Sequence, residues 1–307
     1  MIKKPLPNDN PKRAYRERGR DRIHRFLMAG DTIRGYLVHG TRMVREMQEN
    51  HGTGPLETHL LGQAAMGSAL MAANLKDTGR IHIQWECGGP LKGITVEADT
   101  FGAVRGYLHR NPIPPEEIPE GSDLSALFGP GFLTVTRKEE AKKEPRTSVV
   151  MLKHGSIPRD LTVFHHESEQ AATAMALDIR IDDDGNASGA GGLFLQALPE
   201  APEEVLRALE TTVDHLPPLG QSFSEGRDPE VLLLELFATH APRFLESLRI
   251  EFFCPCDRKL FLGYLRGLNA ADRREIREEG PFPLEITCHN CSTIYTFPED
   301  EVKRVLV

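Results

Sequence analysis

Four of the five cysteines lie near the C-terminal end of the chain, as Cys254-Pro-Cys256 and Cys288-His-Asn-Cys291. Two thiol pairs at short spacing, brought together by a cysteine-free loop, are what a tetrahedral thiolate metal site requires. Four thiolates form a closed structural zinc site with no position open for catalysis. The cysteines therefore predict one zinc ion per chain, bound by a small module at residues 251–307 whose folding depends on its metal.

The composition is that of a soluble globular protein, with 39% apolar and 27% charged residues. The net charge of −8 gives no bulk electrostatic support for binding nucleic acid or an anionic membrane. Neither a signal-like apolar stretch nor a segment long enough to cross a bilayer is found, which predicts a cytoplasmic protein. In that compartment clustered cysteines are metal ligands or redox groups rather than structural disulfides.

Strand-like segments occur in runs, with helical segments between the blocks, which predicts an α+β fold. A mixed α/β core is expected at residues 21–200, a helical linker at 201–250 and the cysteine module at 251–307. The clearest helix runs over residues 55–76, and its many small residues predict a buried scaffold helix that other elements approach closely. The segment Gly189–Gly192 has no phosphate-binding context, which leaves a turn or bulge.

The start of the chain is strongly basic, with eight basic and three acidic residues among the first 22. A basic, proline-containing segment of low hydrophobicity predicts a disordered extension at residues 1–20. An arm that binds nucleic acid is the less favoured alternative, because charge-rich tails are commonly solvated.

The linker contains two helical segments separated by a proline- and glycine-containing turn. The second segment begins with Asp228 as N-cap and Pro229 at the first helical position. It continues through 231–237, which is apolar nearly all round, so other parts of the protein must cover it. Without that cover the helix would present an adhesive apolar surface.

Several functions are compatible with the cysteine set. On spacing alone an inert structural zinc site is favoured over a redox switch, in which oxidation to disulfides removes the thiolate ligands and releases zinc. A constitutive zinc adaptor that binds a protein or RNA through residues 251–307 is the alternative from another class, although acidic residues there disfavour RNA. A thiol–disulfide oxidoreductase would need an exposed dithiol of low pKa, which four ligated thiols do not provide. The fifth cysteine, Cys87, is expected to pack in the core, and no ATPase or hydrolase signature indicates an enzyme.

Taken together, the chain resembles the 33-kDa chaperonin family, the redox-regulated heat-shock holdases of bacteria. Its C-x-C followed by C-x-x-C is similar to the family's arrangement, and the resemblance runs from about Asp21 to Phe297. Further segments that resemble family signatures, in chain order, are Ile23–Leu27, Ile33–Gly35, Ala72–Lys76, Gly88–Leu91, Arg105-Gly106, Gly131–Val135, Ser168–Gln170 and Ala190–Gln196.

The resemblance implies that the reduced, zinc-bound form is inactive as a chaperone. It also implies that oxidation forms Cys254–Cys256 and Cys288–Cys291 disulfides, releases the zinc and unfolds the linker. The oxidised protein is then expected to bind unfolding client proteins as a homodimer, without ATP and without a nucleic-acid or membrane partner. The candidate client-binding residues are the apolar ones of the second linker helix: Val231, Leu232, Leu233, Leu234, Leu236 and Phe237.

Three features depart from the family pattern. Ser292 follows Cys291 where the family usually has glycine, the residue that tolerates positive φ at a metal knuckle. Arg146 replaces the aromatic residue that often follows the family's Lys-Glu-Pro sequence. The basic extension before Asp21 has no evident counterpart in the family.

Overall fold

The computed structural model describes residues 1–7, 9–10, 17, 19–121 and 123–306. The strands in these ranges are β1 (Arg22–Met28), β2 (Ile33–His39), β3 (Gly79–Cys87), β4 (Gly93–Asp99), β5 (Ala103–Leu108), β6 (Gly131–Glu139), β7 (Arg146–Met151), β8 (Thr173–Ile181), β9 (Ala187–Ala197), β10 (Arg243–Arg249), β11 (Glu251–Phe252), β12 (Leu284–Thr287) and β13 (Ile294–Phe297). The helices are α1 (Thr41–His51), α2 (Pro55–Ala73), α3 (Ser125–Phe128), α4 (Ile157–Glu169), α5 (Glu203–Asp214), α6 (Leu219–Ser224), α7 (Pro229–Leu236), α8 (Arg258–Arg266), α9 (Ala270–Glu279) and α10 (Glu299–Val305). None of the described helices combines the length and the apolar character needed to cross a membrane.

Within the described residues the strands form two large sheets and one hairpin. The first sheet has the order β10-β1-β2-β9-β8, and the second has the order β11-β5-β4-β3-β6-β7. Neighbouring strands run antiparallel, except that β11 runs parallel to β5. The hairpin β12-β13 belongs to the cysteine module. Strands grouped in antiparallel sheets with helices between the groups confirm the α+β prediction.

Helix α2 lies between the two large sheets and contacts strands of both. Nearly all of its residues are buried, because it is covered on every side rather than on one face. A Cβ atom on Gly67 would lie 2.7 Å from the Leu161 side chain of α4, so the glycine allows the two helices to approach closely. The predicted scaffold helix is therefore confirmed, although it ends at Ala73 rather than at residue 76.

The glycine-rich segment Gly189–Gly192 lies inside strand β9, so the prediction of a turn there is wrong. The alternative of a bulge agrees with a register shift beside Gly189, where the β8–β9 pairing passes from Arg180–Gly189 to Ile181–Ala187. The glycines also allow a close approach between elements distant in sequence. A Cβ atom on Gly189 would lie 1.9 Å from the carbonyl oxygen of Gly220, and one on Gly191 would lie 2.7 Å from the ring of Phe223. The absent side chains therefore let helix α6 lie directly on the strand.

The linker helices α5, α6 and α7 lie over the first sheet. Asp228 caps α7 as predicted, because its carboxylate accepts hydrogen bonds from the backbone N–H groups of Glu230 and Val231. The linker differs from the prediction after residue 242, where strand β10 pairs with β1. Linker and sheet side chains bury one another in a separate apolar cluster of Phe26, Met28, Ile33, Leu37, Leu193, Leu195, Leu209, Leu219, Phe223, Leu232, Leu233 and Phe237.

Candidate metal centre

Two local structures deliver the two cysteine pairs to one place. Cys254 and Cys256 follow β11, which adds a parallel strand to the edge of the second large sheet. Cys288 and Cys291 lie in the turn of the β12-β13 hairpin. This turn closes through three backbone hydrogen bonds, from Ser292 N to Cys288 O at 2.7 Å, from Cys291 N to Cys288 O at 3.3 Å and from Cys288 N to Thr293 O at 2.9 Å. These hydrogen bonds hold the second pair on one side of the cluster.

The four sulfur atoms all lie within 4.8 Å of one another, and all four cysteines are buried. Cys254 Sγ is 3.8 Å from Cys288 Sγ, and Cys256 Sγ is 3.4 Å from Cys291 Sγ. A tetrahedral zinc site with Zn–S bonds of about 2.3 Å has sulfur–sulfur edges of about 3.8 Å. The separations are much longer than a disulfide bond of about 2.05 Å, and the cysteines are free thiols. The donor set and its spacing therefore fit a tetrahedral thiolate metal site, as the sequence predicts.

Charge within the cluster favours a cation. The contact between Cys254 and Cys288 lowers the pKa of the Cys254 thiol and raises the pKa of the Cys288 thiol. The contact with Cys254 also raises the pKa of Cys291, to about 11. The Cys254 thiolate thus accepts hydrogen bonds from neighbouring thiols. Those thiols stay protonated, because further buried negative charges would repel it. A divalent cation removes this repulsion and allows all four sulfurs to ionise.

Arg105 links the cluster to the core. Its guanidinium donates from Nη1 to Cys254 Sγ at 3.6 Å, and from Nη2 and Nε to Glu97 Oε1 at 2.8 and 3.1 Å. Arg105 lies in β5, and the N–H of its neighbour Gly106 donates to the carbonyl oxygen of Asn290 in the second cysteine turn. One core strand therefore contacts both halves of the cluster, and the guanidinium adds positive charge beside a thiolate.

Within the module, Tyr295 and Thr293 hold the sulfur-bearing loops. The Tyr295 hydroxyl donates to Cys256 O at 2.9 Å and lies 3.3 Å from Cys256 Sγ. The Thr293 hydroxyl accepts a hydrogen bond from Cys291 Sγ at 3.3 Å. Both residues are buried, so these contacts are shielded from competition with water.

Ser292 adopts the left-handed backbone conformation, with φ of 51°. This conformation is the one for which glycine is preferred, so serine introduces some strain at this knuckle. Its hydroxyl lies 2.8 Å from His51 Nδ1 of helix α1. The departure from the family pattern thus places a side chain that connects the second cysteine turn to the core.

The N-terminal residues differ from the predicted disordered extension, because Met1–Lys4 lie against the module and helix α1. The amino nitrogen of Met1 donates to Cys256 O at 2.7 Å, and its Sδ accepts from the Cys254 N–H at 2.9 Å. Further along, Leu6 is buried. Local sequence patterns do not indicate these contacts, because the partners lie up to 255 positions away in sequence. Residues 8, 11–16 and 18 of the predicted extension lie outside the described residues.

The remaining predicted residues lie away from the cluster. In α7 and just after it, Leu232, Leu233 and Phe237 are fully buried in the linker–sheet cluster, whereas Val231 and Leu234 are about half exposed. Cys87 lies in β3 and packs partly buried against the core, where burial raises the pKa of its thiol to about 12. Neither group contributes a ligand to the metal centre.

Sequence reasoning did not identify the supporting residues Arg105, Thr293 and Tyr295. Of these, only Arg105 carried a signal, as part of the Arg105-Gly106 signature, and that signature assigned it no role. The others are single polar residues in ordinary segments. Their contacts depend on how the module docks on the core.

Replacing Arg105 with methionine is expected to weaken metal binding about tenfold, within the range of 10–100-fold seen for residues that support metal ligands. Competition against a chelator of known affinity measures this change. Arg80→Met is the matched control, because Arg80 lies 3.8 Å from the same Glu97 carboxylate and, among the described residues, donates no hydrogen bond to a cysteine sulfur. Equal affinities for both variants would contradict a role for the Arg105–Cys254 contact.

The structure defines a class of protein: a two-sheet α+β core, a linker packed on one sheet, and a C-terminal module with four buried, clustered thiols that could hold a metal ion. The family model described as "Hsp33 protein" matches residues 21–298. The chain therefore belongs to the Hsp33 family, as the resemblance in its sequence predicts.

Similar proteins agree over nearly the whole chain. The 33 kDa chaperonins of Desulforamulus reducens and Agathobacter rectalis are 33% and 32% identical over 288 and 290 residues, which is 93% of this chain and 97% and 99% of theirs. The crystal structure of the 33 kDa chaperonin of Thermotoga maritima matches with a TM-score of 0.81 at 27% identity, covering 94% of this chain and 98% of that one. Family membership makes this protein a chaperone, whose partners are unfolded client proteins.

Proposed function

We propose that this protein is a redox-regulated, ATP-independent holdase whose metal centre holds it inactive in the reduced state. The observation that carries the proposal is the buried cluster of four thiols at the end of the linker. That linker covers the apolar face of the first large sheet. In the reduced form the four cysteines bind one zinc ion, for which four thiolates in a tetrahedron are the typical ligands.

Oxidation removes the ligands. Each cysteine pair gives two electrons to one molecule of peroxide and, with two protons taken up, forms one S–S bond and two waters. Following the family resemblance, the pairs are Cys254–Cys256 and Cys288–Cys291, and all four sulfurs are close enough for this pairing. Disulfide sulfurs carry no negative charge, so the oxidised module no longer binds zinc.

Loss of the module's fold then releases the linker. Strand β10 and strand β11 are almost adjacent in sequence, but they join different large sheets. Unfolding of the module therefore removes β11 from the edge of the second sheet. The loss of this anchor weakens the pairing of β10 and the packing of the linker helices on the first sheet. The apolar residues of α7 and the sheet beneath it become accessible to unfolding clients, and two oxidised chains associate as a homodimer. The protein acts in the cytoplasm and uses no nucleic-acid or membrane partner.

One experiment tests this function directly. Treatment with peroxide and mild heat is expected to release one zinc per chain and to suppress aggregation of a denaturing client in the same sample. Zinc is measured with a metallochromic dye and aggregation by light scattering, while mass spectrometry identifies the disulfides. A Cys254→Ser/Cys288→Ser variant, which cannot form either proposed disulfide, is expected to show no peroxide-dependent gain in protection.

A Cys87→Ala variant provides the matched control, because it removes the one cysteine that lies outside the cluster. It is expected to respond to peroxide as the natural sequence does. Client protection that does not change with oxidation, together with retained zinc, would instead favour the constitutive zinc adaptor.

A further inference from the structure

The first six residues connect the cysteine module to helix α1 through shared hydrogen bonds. The Ile2 N–H donates to Thr293 Oγ1 at 3.2 Å, and the Thr293 hydroxyl donates back to the Ile2 carbonyl at 3.0 Å. The same Ile2 carbonyl accepts from Asn50 Nδ2 at 3.2 Å, and Asn50 Nδ2 also donates to the Cys291 carbonyl at 2.9 Å. Asn50 belongs to α1 and is buried. The N-terminal segment, the core helix and the metal-binding turn therefore meet at one polar junction.

The N–H of Lys4 donates to Asn50 Oδ1 at 2.9 Å. The residues on either side of Lys4 also pack against the protein. Lys3 Nζ pairs with the buried carboxylate of Glu46 and lies 5.8 Å from the ring centroid of Phe252, the residue that ends β11. Leu6 buries its side chain, with 7% of its surface exposed. An ion pair with a buried partner is screened by solvent less than one on the surface. The segment is thus held by both its backbone and its side chains.

The segment lies outside the part of the chain that defines the family, because the family match begins at residue 21. Its contacts are with the elements whose separation would free the module: helix α1 on the core side, and Thr293 and the Cys254 and Cys256 backbone on the module side.

We propose that residues 1–6 form an N-terminal tether that fastens the cysteine module to helix α1 and slows loss of its metal. The tether contacts both α1 and the module, which together form an interaction surface for this chain's own N-terminal segment. Opening of the module must break these contacts in addition to those within the module, so the tether lowers the population of the open form. A role for the tether in activation depends on the proposed redox function. Its effect on metal retention does not depend on that function.

The test compares metal loss from variants of the full-length protein. One variant is Lys3→Gln, and a second replaces residues 2–6 with a glycine–serine sequence of equal length. At fixed peroxide concentration and temperature, Lys3→Gln is expected to release metal about threefold faster, and the replacement about tenfold faster or more. Metal transfer to an excess of chelator without oxidant is expected to accelerate in the same order.

Lys303→Gln is the matched control. Lys303 pairs with Glu299 at 2.6 Å and lies 5.8 Å from the ring centroid of Phe282, so it makes the same two kinds of contact as Lys3. Both partners belong to the module itself, and the pair does not join the module to α1. Lys303→Gln is therefore expected to leave metal release within twofold of the natural sequence.

Hydrogen exchange provides a readout that does not depend on metal detection. Faster exchange of amides at 288–293 and at 46–51 in the replacement variant, with the central helix α2 unchanged, is the expected pattern. Unchanged exchange and unchanged metal loss in the replacement variant would overturn the tether. Failure of peroxide to release metal from every variant, with chelator transfer still accelerated by the replacement, would overturn the redox function and retain the tether.

Discussion

Removal of the metal is expected to unfold residues 251–307 while the two-sheet core stays folded. The module contains only short helices and one hairpin around a few buried side chains, such as Phe261 and Phe297. A structural zinc ion contributes about 10–16 kcal/mol of apparent folding free energy in modules of this size. The core is built around helix α2 and does not share this dependence. Hydrogen exchange with mass spectrometry should therefore show loss of protection at 254–297 and retained protection at 60–98.

Single cysteine substitutions test whether loss of one thiol unfolds the module without any chelator. Cys291→Ala is expected to reproduce the unfolding of the module in the presence of zinc, because Cys291 is one of the four clustered thiols. Cys87→Ala is expected to leave the module folded, since this thiol packs against the core. A module that stays protected after chelation would show that its folding does not require the metal.

Replacing Leu233 with aspartate is expected to detach α7 from the first sheet and to produce chaperone activity without oxidant. Leu233 is fully buried in the linker–sheet cluster. Loss of a buried leucine alone costs about 2–5 kcal/mol, and burial of an unpaired carboxylate costs more. The linker therefore separates from the sheet rather than burying the charge. Client aggregation assays on reduced, zinc-loaded protein measure the activity, and binding of an apolar dye measures the exposed surface.

The adjacent residue provides the matched control. Leu234 is 46% exposed in the same helix, so Leu234→Asp places the identical charge in solvent. This variant is expected to keep the linker packed and the reduced protein inactive. If both variants behave alike, the activity depends on the added charge rather than on release of the linker. If Leu233→Asp exposes apolar surface but gives no protection, that surface does not bind clients.

The cluster of four cysteines could be predicted because the residues that form it lie in two short segments of sequence. Thiolates are the ligands that zinc prefers, and two short cysteine spacings need only one loop closure to meet. The start of α7 was predictable for a similar reason, since the carboxylate of Asp228 accepts hydrogen bonds from groups two and three residues away. Helix α2 was recognised from a long run of small and apolar residues within a single segment.

Features that depend on docking between distant segments could not be predicted in the same way. Gly189 and Gly191 suggested a turn in isolation, but helix α6 requires their missing side chains. Strand β10 was included in a helical linker, because the edge of β1 that it pairs with lies more than 200 residues earlier. The N-terminal residues had no local structure of their own, and their partners lie in α1 and in the module.

The sequence by itself determined the four candidate metal ligands, the α+β class and membership of the Hsp33 family. Cysteine spacing, strand and helix patterns and ordered family signatures are all carried by short segments. Only the tertiary structure decided what surrounds those segments. It placed Arg105 beside Cys254, the linker over the apolar face of the first sheet, and the N-terminal residues against the module. These contacts join residues far apart along the chain, and their strength depends on burial and geometry that exist only after the chain has folded.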